Sequence, residues 1–292
     1  MPRWHLDIDR YLNPVVAPSI LPRLPYPIAH FCGYRTEKTH RSIPLGNLIV
    51  VFWSVIGIFA TLSLIGLIGQ NVPSFESNGV PVIVGSFGAA AVLDFYAIES
   101  PLAQPRNAIV GQLIASVTGV SICRLFMLSS NFESIRWVGG ALSCAVATGL
   151  MALTGTVHPP AGATALMAVA DDQVAKLGWF LIPVVMLGCG VMLLMALLVN
   201  NIQRRFPVYW WTPETTGEYW CREVTPGERP SVETSHDNKS AACASTSSGD
   251  LEMATSIEDQ PLVITKGLVQ VPRNFYLSIE EKKMLETLSL RL

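Results

Sequence analysis

The sequence predicts an all-α, polytopic membrane bundle with about four full transmembrane helices plus two short or re-entrant helices and an internal repeat. Three observations predict it. Half of the 292 residues are hydrophobic and only 14% are charged, a bias too strong for an ordinary soluble domain. The charges gather before residue 42 and after residue 203. Between those limits lie four nearly uncharged runs long enough to cross a hydrocarbon core about 30 Å thick. The formal net charge of −2 also argues against a nucleic-acid partner.

Residues 1–47 form a polar, proline-rich arm. "PSILPRLPYP" at 18–27 favours polyproline II, so a mostly extended segment is expected. The opening "MPRWHLDIDRYLNP" has no apolar h-region, which argues against a cleavable signal. Asp7 and Asp9 argue against a transit peptide. From there to residue 211 runs a membrane domain, 48–211. Its first span, 48–69, carries no charge and rises about 33 Å as a helix.

The second span, 107–128, has Arg124 near one end, where it can snorkel to headgroups. Gly111, Ala115 and Gly119 place small residues on one face of it. Ala141, Ala145 and Gly149 do the same in the third span, 137–157, and these two faces are expected to pack together. The fourth span, 178–199, has Pro183 in its first turns and Trp179 as an interfacial anchor. Arg204, Arg205 and "YWW" at 209–211 follow its other end.

Two shorter apolar pieces remain, 81–98 and 159–170. The second is too short to cross a bilayer as a straight helix, and the first carries Asp94. "FGAAAVL" at 87–93 aligns with "AGATALM" at 161–167, which suggests a repeat of span, short helix, span. Paired short segments of this kind point to transporter substrate sites. Basic residues at Arg35, Lys38, Arg41, Arg204 and Arg205 put both ends on the cytoplasmic side, so the number of crossings is even. Four spans with two re-entrant helices satisfy this, and so do six spans.

The tail, 212–292, is polar and reads as mostly disordered over 212–265. Near its end, Ser278 and Glu281 have capping-box spacing ahead of Met284, Leu285, Leu288 and Leu292. That pattern predicts a short amphipathic helix. The six cysteines form no CxxC pair and suggest neither a disulfide framework nor a zinc site.

Candidate chemistry centres on "TVHPPAGATAL", 156–166. Pro159 and Pro160 forbid helix through themselves but suit a helix start. Non-helical backbone at membrane depth is tolerated only inside protein or beside a water-lined cavity. The first amides of the new helix, through Gly162, are expected to lack partners and to favour an anion. His158 stands just ahead of them and ties anion binding to a proton if it titrates; the bland alternative is a histidine that only caps carbonyls. "ESPLAQPRN" adds Gln104, Arg106 and Asn107. Arg106 either clamps an anion with two N–H groups or pairs with Glu99, Asp94 or headgroups. Ser86 and Thr164 take matching places around Gly88 and Gly162 in the two short helices. No P-loop, GxSxG, HExxH or catalytic carboxylate pair occurs, so no enzyme, catalytic residue, metal or cofactor is predicted.

"GSFGAAAVL" at 85–93, "SPLAQPRN" at 100–107, "HPPAGATAL" at 158–166 and "LLVNNIQRRFPVYW" at 197–210 together resemble the HPP family of integral membrane proteins. The resemblance covers about residues 45–211. Some bacterial members add a nucleotide-sensing CBS pair, for which the tail here gives no counterpart. Plant members have been assigned to nitrite transport across the chloroplast envelope. The resemblance therefore implies movement of nitrite or a similar small anion through this core. The N-terminus departs from the plant pattern, and the sequence does not say which membrane holds the chain. The expected partners are a lipid bilayer, a small anion and a homo-oligomeric copy. The competing readings are a non-transporting scaffold that presents its tail to a partner, and a proton-coupled organic-acid carrier.

Overall fold

A computed structural model describes residues 8–35, 46–81, 83–214, 216, 217, 220, 263–265, 268–270, 285 and 289. The chain divides into two compact units, Met1–Arg222 and Glu223–Leu292.

In the first unit the helices are α1 (Asp9–Leu12), α2 (Tyr26–Phe31), α3 (Asn47–Asn71), α4 (Pro73–Asn78), α5 (Ser86–Phe95), α6 (Pro105–Phe126), α7 (Phe132–Leu153), α8 (Pro159–Ala170), α9 (Asp172–Leu177) and α10 (Leu181–Asn200). Four stretches, Asn47–Asn71, Pro105–Phe126, Phe132–Leu153 and Asp172–Asn200, are long and apolar enough to cross a membrane. The two short apolar helices are Ser86–Phe95 and Pro159–Ala170. α8 begins at Pro159, where the proline pair supplies φ near −65° and lacks N–H groups that the first turn does not use.

Contacts fix the direction of every pass. At one end, called here the near end, Trp53 early in α3 donates to Gln203 Oε1 beyond α10 at 2.8 Å. Ser54 of α3 donates to the carbonyl of Phe95, the last residue of α5. Arg106 at the start of α6 donates to Thr154 O at the end of α7 at 2.9 Å. At the far end, the start of α5 meets Ile65 and Ile68 of α3 and Val184 and Leu187 of α10. There Arg136, early in α7, donates to Val169 O near the end of α8 at 2.6 Å.

The short helices therefore run from end to end, which decides between the two arrangements the sequence left open, re-entrant hairpins and six passes. The chain passes from end to end six times, along α3, α5, α6, α7, α8 and α10. Geometry makes this possible. Twelve helical residues rise about 18 Å, and each extended residue adds about 3.3 Å. Residues 79–85 lead into α5, and residues 154–158 lead into α8. Gly155, at φ 63°, ends α7 and starts the second leader.

Two triplets emerge, α3–α5–α6 and α7–α8–α10, each a long helix, a short helix and a long helix. The first begins at the near end and the second at the far end, so the repeat suggested by the two short motifs is inverted. α8 lies between α6 and α7. α5 is gripped from both sides: a Cβ at Gly57 of α3 would lie 2.2 Å from the Phe95 ring, and one at Gly188 of α10 would lie 2.2 Å from the Phe87 ring. Glycine is required where these rings seat.

α6 and α7 do pack together, by the stripe expected on α6 but not by the one expected on α7: Ala115 clusters with Ala147 and Met151, and a Cβ at Gly111 would lie 3.3 Å from Met151 Sδ. On α7, Ala141, Ala145 and Gly149 are exposed; Gly139, Gly140, Ser143, Ala147 and Met151 face inward. On α6, Gly119 receives α8, with Ala168 Cβ 2.7 Å from where its own Cβ would be. A helix has several four-residue stripes, and the small one that packs is chosen by its neighbours.

The arm is folded rather than extended over its described part. It holds α1, a 3₁₀ turn at Leu21–Arg23 and α2. Arg35 donates to Asn201 Oδ1 and Arg204 O, both at 3.0 Å, and His30 meets Asn201 O at 2.9 Å. The arm and the exit of α10 thus share the near end. Residues just past 211 also belong here, since Gly217 N–H donates to Asn13 O and Trp220 Nε1 to Val15 O.

In the second unit, β1 (Val263–Thr265) and β2 (Leu268–Gln270) pair antiparallel, with Ile264 opposite Val269. This corrects the disordered reading at 263–265, where β-branched residues favour a strand. The disordered reading is corrected at its start too, where Glu214, Gly217 and Trp220 bond to Asn13 and Val15 of the arm; residues 221–262, and most of the C-terminal helix, lie outside the described residues.

Candidate functional site

The two short helices meet at three buried polar side chains. Thr164 Oγ1 of α8 lies 2.7 Å from Ser86 Oγ of α5 and 2.7 Å from Gln112 Oε1 of α6. One hydroxyl carries one proton. Thr164 gives its proton to Gln112 Oε1, which can only accept, and takes Ser86's. Ser86 is 1% exposed; Thr164 and Gln112 are 0% exposed. Gln112 Nε2 keeps two N–H groups and has no partner. This is the layer where the inverted triplets touch.

The same helix faces continue into a small cavity on the near side. Ser86, Ala90 and Asp94 stand at i, i+4 and i+8 on α5, while Pro105, Ala108 and Gln112 stand at i, i+3 and i+7 on α6. Ala90, Asp94, Pro105 and Ala108 line the cavity with His158, Cys189 and Phe206. It has free space for about one water molecule. His158 is 0% exposed, and its Nδ1 lies 2.9 Å from Leu102 O. A carbonyl only accepts, so Nδ1 carries the proton and the neutral ring's Nε2 is a bare lone pair. Among the described residues that Nε2 has no partner, and neither does Asp94 Oδ1.

On the far side of α5 lies a second cavity, lined by apolar side chains that include Ile65, Ile68, Phe75, Val84, Val184 and Val191. The ring of Phe87 lines both cavities and separates them.

Beyond the near cavity, toward the arm, sits Arg106. Its Nη1 and Nη2 grip Asp9 Oδ2 and Oδ1 at 3.0 and 2.5 Å, and Nη2 also donates to Thr154 O at 2.9 Å. The guanidinium stacks 4.4 Å from the Trp211 ring centre. Arg106 therefore pairs with neither Glu99 nor Asp94. Its partner is a carboxylate of the arm, held in the bidentate geometry that a small oxyanion also takes.

The ten residues expected from sequence divide clearly. Ser86, Thr164 and His158 come together around the inner layer and the near cavity. Gln104 is spent on structure: Nε2 donates to Ile98 O and Ser100 O, and Oε1 accepts from Val208 N–H. Asn107 donates to Val157 O at 3.1 Å. Pro159 is exposed and Pro160 buried. Gly162 faces Cys144 and Thr148 of α7, and Gly88 faces open space.

The expected row of free amides at α8 is also corrected. Pro159 and Pro160 have no N–H, and the Ala161 N–H donates to His158 O at 2.9 Å. The unpartnered groups near this start are side-chain atoms, His158 Nε2 and Gln112 Nε2. Sequence reading missed Gln112, a lone amide in an apolar span whose partner is 52 positions away. It also considered Asp94 only as a partner for Arg106.

A helical bundle with four helices long and apolar enough to cross a bilayer, and two short apolar helices packed among them, is an integral membrane protein. Residues 43–207 match the family described as HPP, transmembrane region, and the chain belongs to that family. It is similar to two transmembrane proteins of Dictyostelium discoideum. One is 35% identical over 191 residues, covering 64% of this chain and 65% of the relative. The other is 37% identical over 172 residues, covering 56% and 52%. The chain thus spans less than two thirds of either relative's length. No solved structure matches the chain.

Proposed function

We propose that this protein carries a small monovalent anion, nitrite-like by family resemblance, across the membrane through the interface of its two inverted triplets. The observation that carries the reading is the Ser86–Gln112–Thr164 layer, with two N–H groups of Gln112 unpartnered at membrane depth. An unsatisfied buried donor is costly and is kept where a ligand satisfies it. Crossed short helices at the junction of inverted repeats are where transporter substrates bind.

On this reading Arg106 stands at the near mouth as the first positive charge an anion meets. Asp9 is its resident occupant and gives way when substrate arrives. The inner layer then holds the anion by neutral N–H and O–H donors. The ring of Phe87 bars the apolar far side, so the geometry described here is the closed form. The near end, with its basic residues, faces the cytoplasm.

Uptake of nitrite, nitrate and formate into proteoliposomes tests the reading. Wild-type protein raises nitrite uptake above that of protein-free vesicles, and H158A inserts normally but loses that uptake. Wild-type protein that moves none of the three anions contradicts it.

A further inference from the structure

The anion reading makes uptake depend on His158 without giving the ring a task, and it leaves Asp94 with none. Asp94 is 4% exposed and His158 0% exposed. They line one cavity from different triplets, Asp94 on α5 and His158 ahead of α8. Each offers that cavity an unpartnered atom, Oδ1 and Nε2. Both atoms are acceptors when the groups are unprotonated, and a cavity walled by acceptors alone is unsatisfied. One proton repairs it: an acid O–H donates, directly or through the single water the space admits, to the imidazole lone pair.

The surroundings leave this pair to itself. On α10 the cavity meets Cys189, and Asn200 Nδ2 donates to the Asp94 backbone carbonyl, not to its carboxyl. Arg204 gives Nη1 to Phe95 O at 2.7 Å and Nη2 to Asn200 Oδ1 at 2.5 Å, and its Nε, without a partner among the described residues, forms no ion pair with Asp94. Arg106 on α6 is turned to Asp9, and Tyr209 lies toward Arg106. α3 carries no ionisable side chain, α8 adds none, and Glu99 is exposed. Among the described residues no cation pairs with Asp94. A carboxylate enclosed without a cation is expensive, and taking up a proton removes the charge.

We infer that Asp94 and His158 form a proton-binding site that couples proton movement to anion movement. This rests on the anion reading above for its second half only. The proton comes from water on one side and is held as the neutral Asp94 acid. Its O–H bond breaks as an N–H bond forms at His158 Nε2, leaving a carboxylate and an imidazolium. With its lone pair covered, the imidazolium turns from repelling an anion to donating to it. One anion and one proton then leave together, and both groups return to their starting forms. A monovalent anion moved this way carries no net charge.

Two measurements on the full chain in lipid decide it. Infrared difference spectra are compared between wild type and D94N. The inference predicts a protonated-carboxyl band that D94N removes, and a pH midpoint for that band that moves in H158Q. A spectrum without that band, or a midpoint indifferent to H158Q, overturns it. In proteoliposomes, an acid exterior drives nitrite accumulation up to about tenfold per pH unit for one-to-one coupling, corrected for protein-free vesicles. D94N flattens that dependence. If nitrite moves but D94N keeps the full pH response, coupling falls and the anion reading stands. If no anion moves but the band titrates with His158, the anion reading falls and the proton site stands.

Discussion

The two cavities flanking α5 differ in everything but their shared wall. The far one is lined by aliphatic and aromatic groups drawn from α3, α5 and α10. The near one contains an acid and an imidazole, each with an atom unpartnered. Between them stands Phe87, 2% exposed, its ring seated on Gly188. The difference teaches where an ion can rest. An apolar cavity offers no compensation for lost hydration, whereas the near cavity and the Ser86–Gln112–Thr164 layer offer fixed dipoles. One side of α5 is a binding region, and the other is a barrier.

Removing the shared wall breaks the contrast most severely. F87A leaves a void in the core and destabilises by about 3–5 kcal/mol, read as a lowered melting temperature in detergent. In protein that still inserts, the joined cavities pass nitrite with a weaker pH dependence. R106A comes next. It removes Asp9's bidentate partner and empties a buried guanidinium site, a loss of about 3 kcal/mol for a broken buried pair with one partner partly exposed. Thermal melting checks the loss, and D9A serves as the partner variant that keeps Arg106.

T164V sharpens the comparison. It keeps the side chain's shape but strips Gln112 Oε1 and Ser86 of their partner, costing about 1–3 kcal/mol. Uptake is expected to fall at least tenfold while insertion is unchanged. V184T should have the smallest effect. Its hydroxyl can bond the carbonyl one turn back, as that of Ser54 bonds Val50 O, so a loss under about 1 kcal/mol is expected. Thermal melting checks it; a loss of melting temperature and uptake as large as that of T164V would dissolve the contrast.

Much of the architecture was legible in the residues. The start of α8 at Pro159 follows from proline's fixed φ and missing N–H, and its end at Ala170 from the aspartates beyond. The pairing of the two short segments was visible in "FGAAAVL" and "AGATALM". Their inversion was not, because the direction of a pass depends on contacts such as Arg136 with Val169 O, 33 positions apart. Arg106's partner lay 97 positions away in an arm that looked extended. The packing stripe of α7 was ambiguous because small residues recur on more than one face. The free-amide picture of α8 failed for a reason already present in the residue type, since two prolines cannot supply amides. What they do supply is a rigid start that holds His158 outside the helix with Nε2 uncovered.

Gln112 offers the most direct trial of the central claim, because it touches Thr164, lies in no recognisable motif and has a shape-matched apolar replacement. Nitrite uptake is compared between wild type and Q112L reconstituted at equal protein per vesicle. The account predicts robust uptake by wild type and a loss of tenfold or more in Q112L, with both proteins inserted and folded. Equal uptake by the two would contradict it, because the anion would then cross without the layer at which the triplets meet.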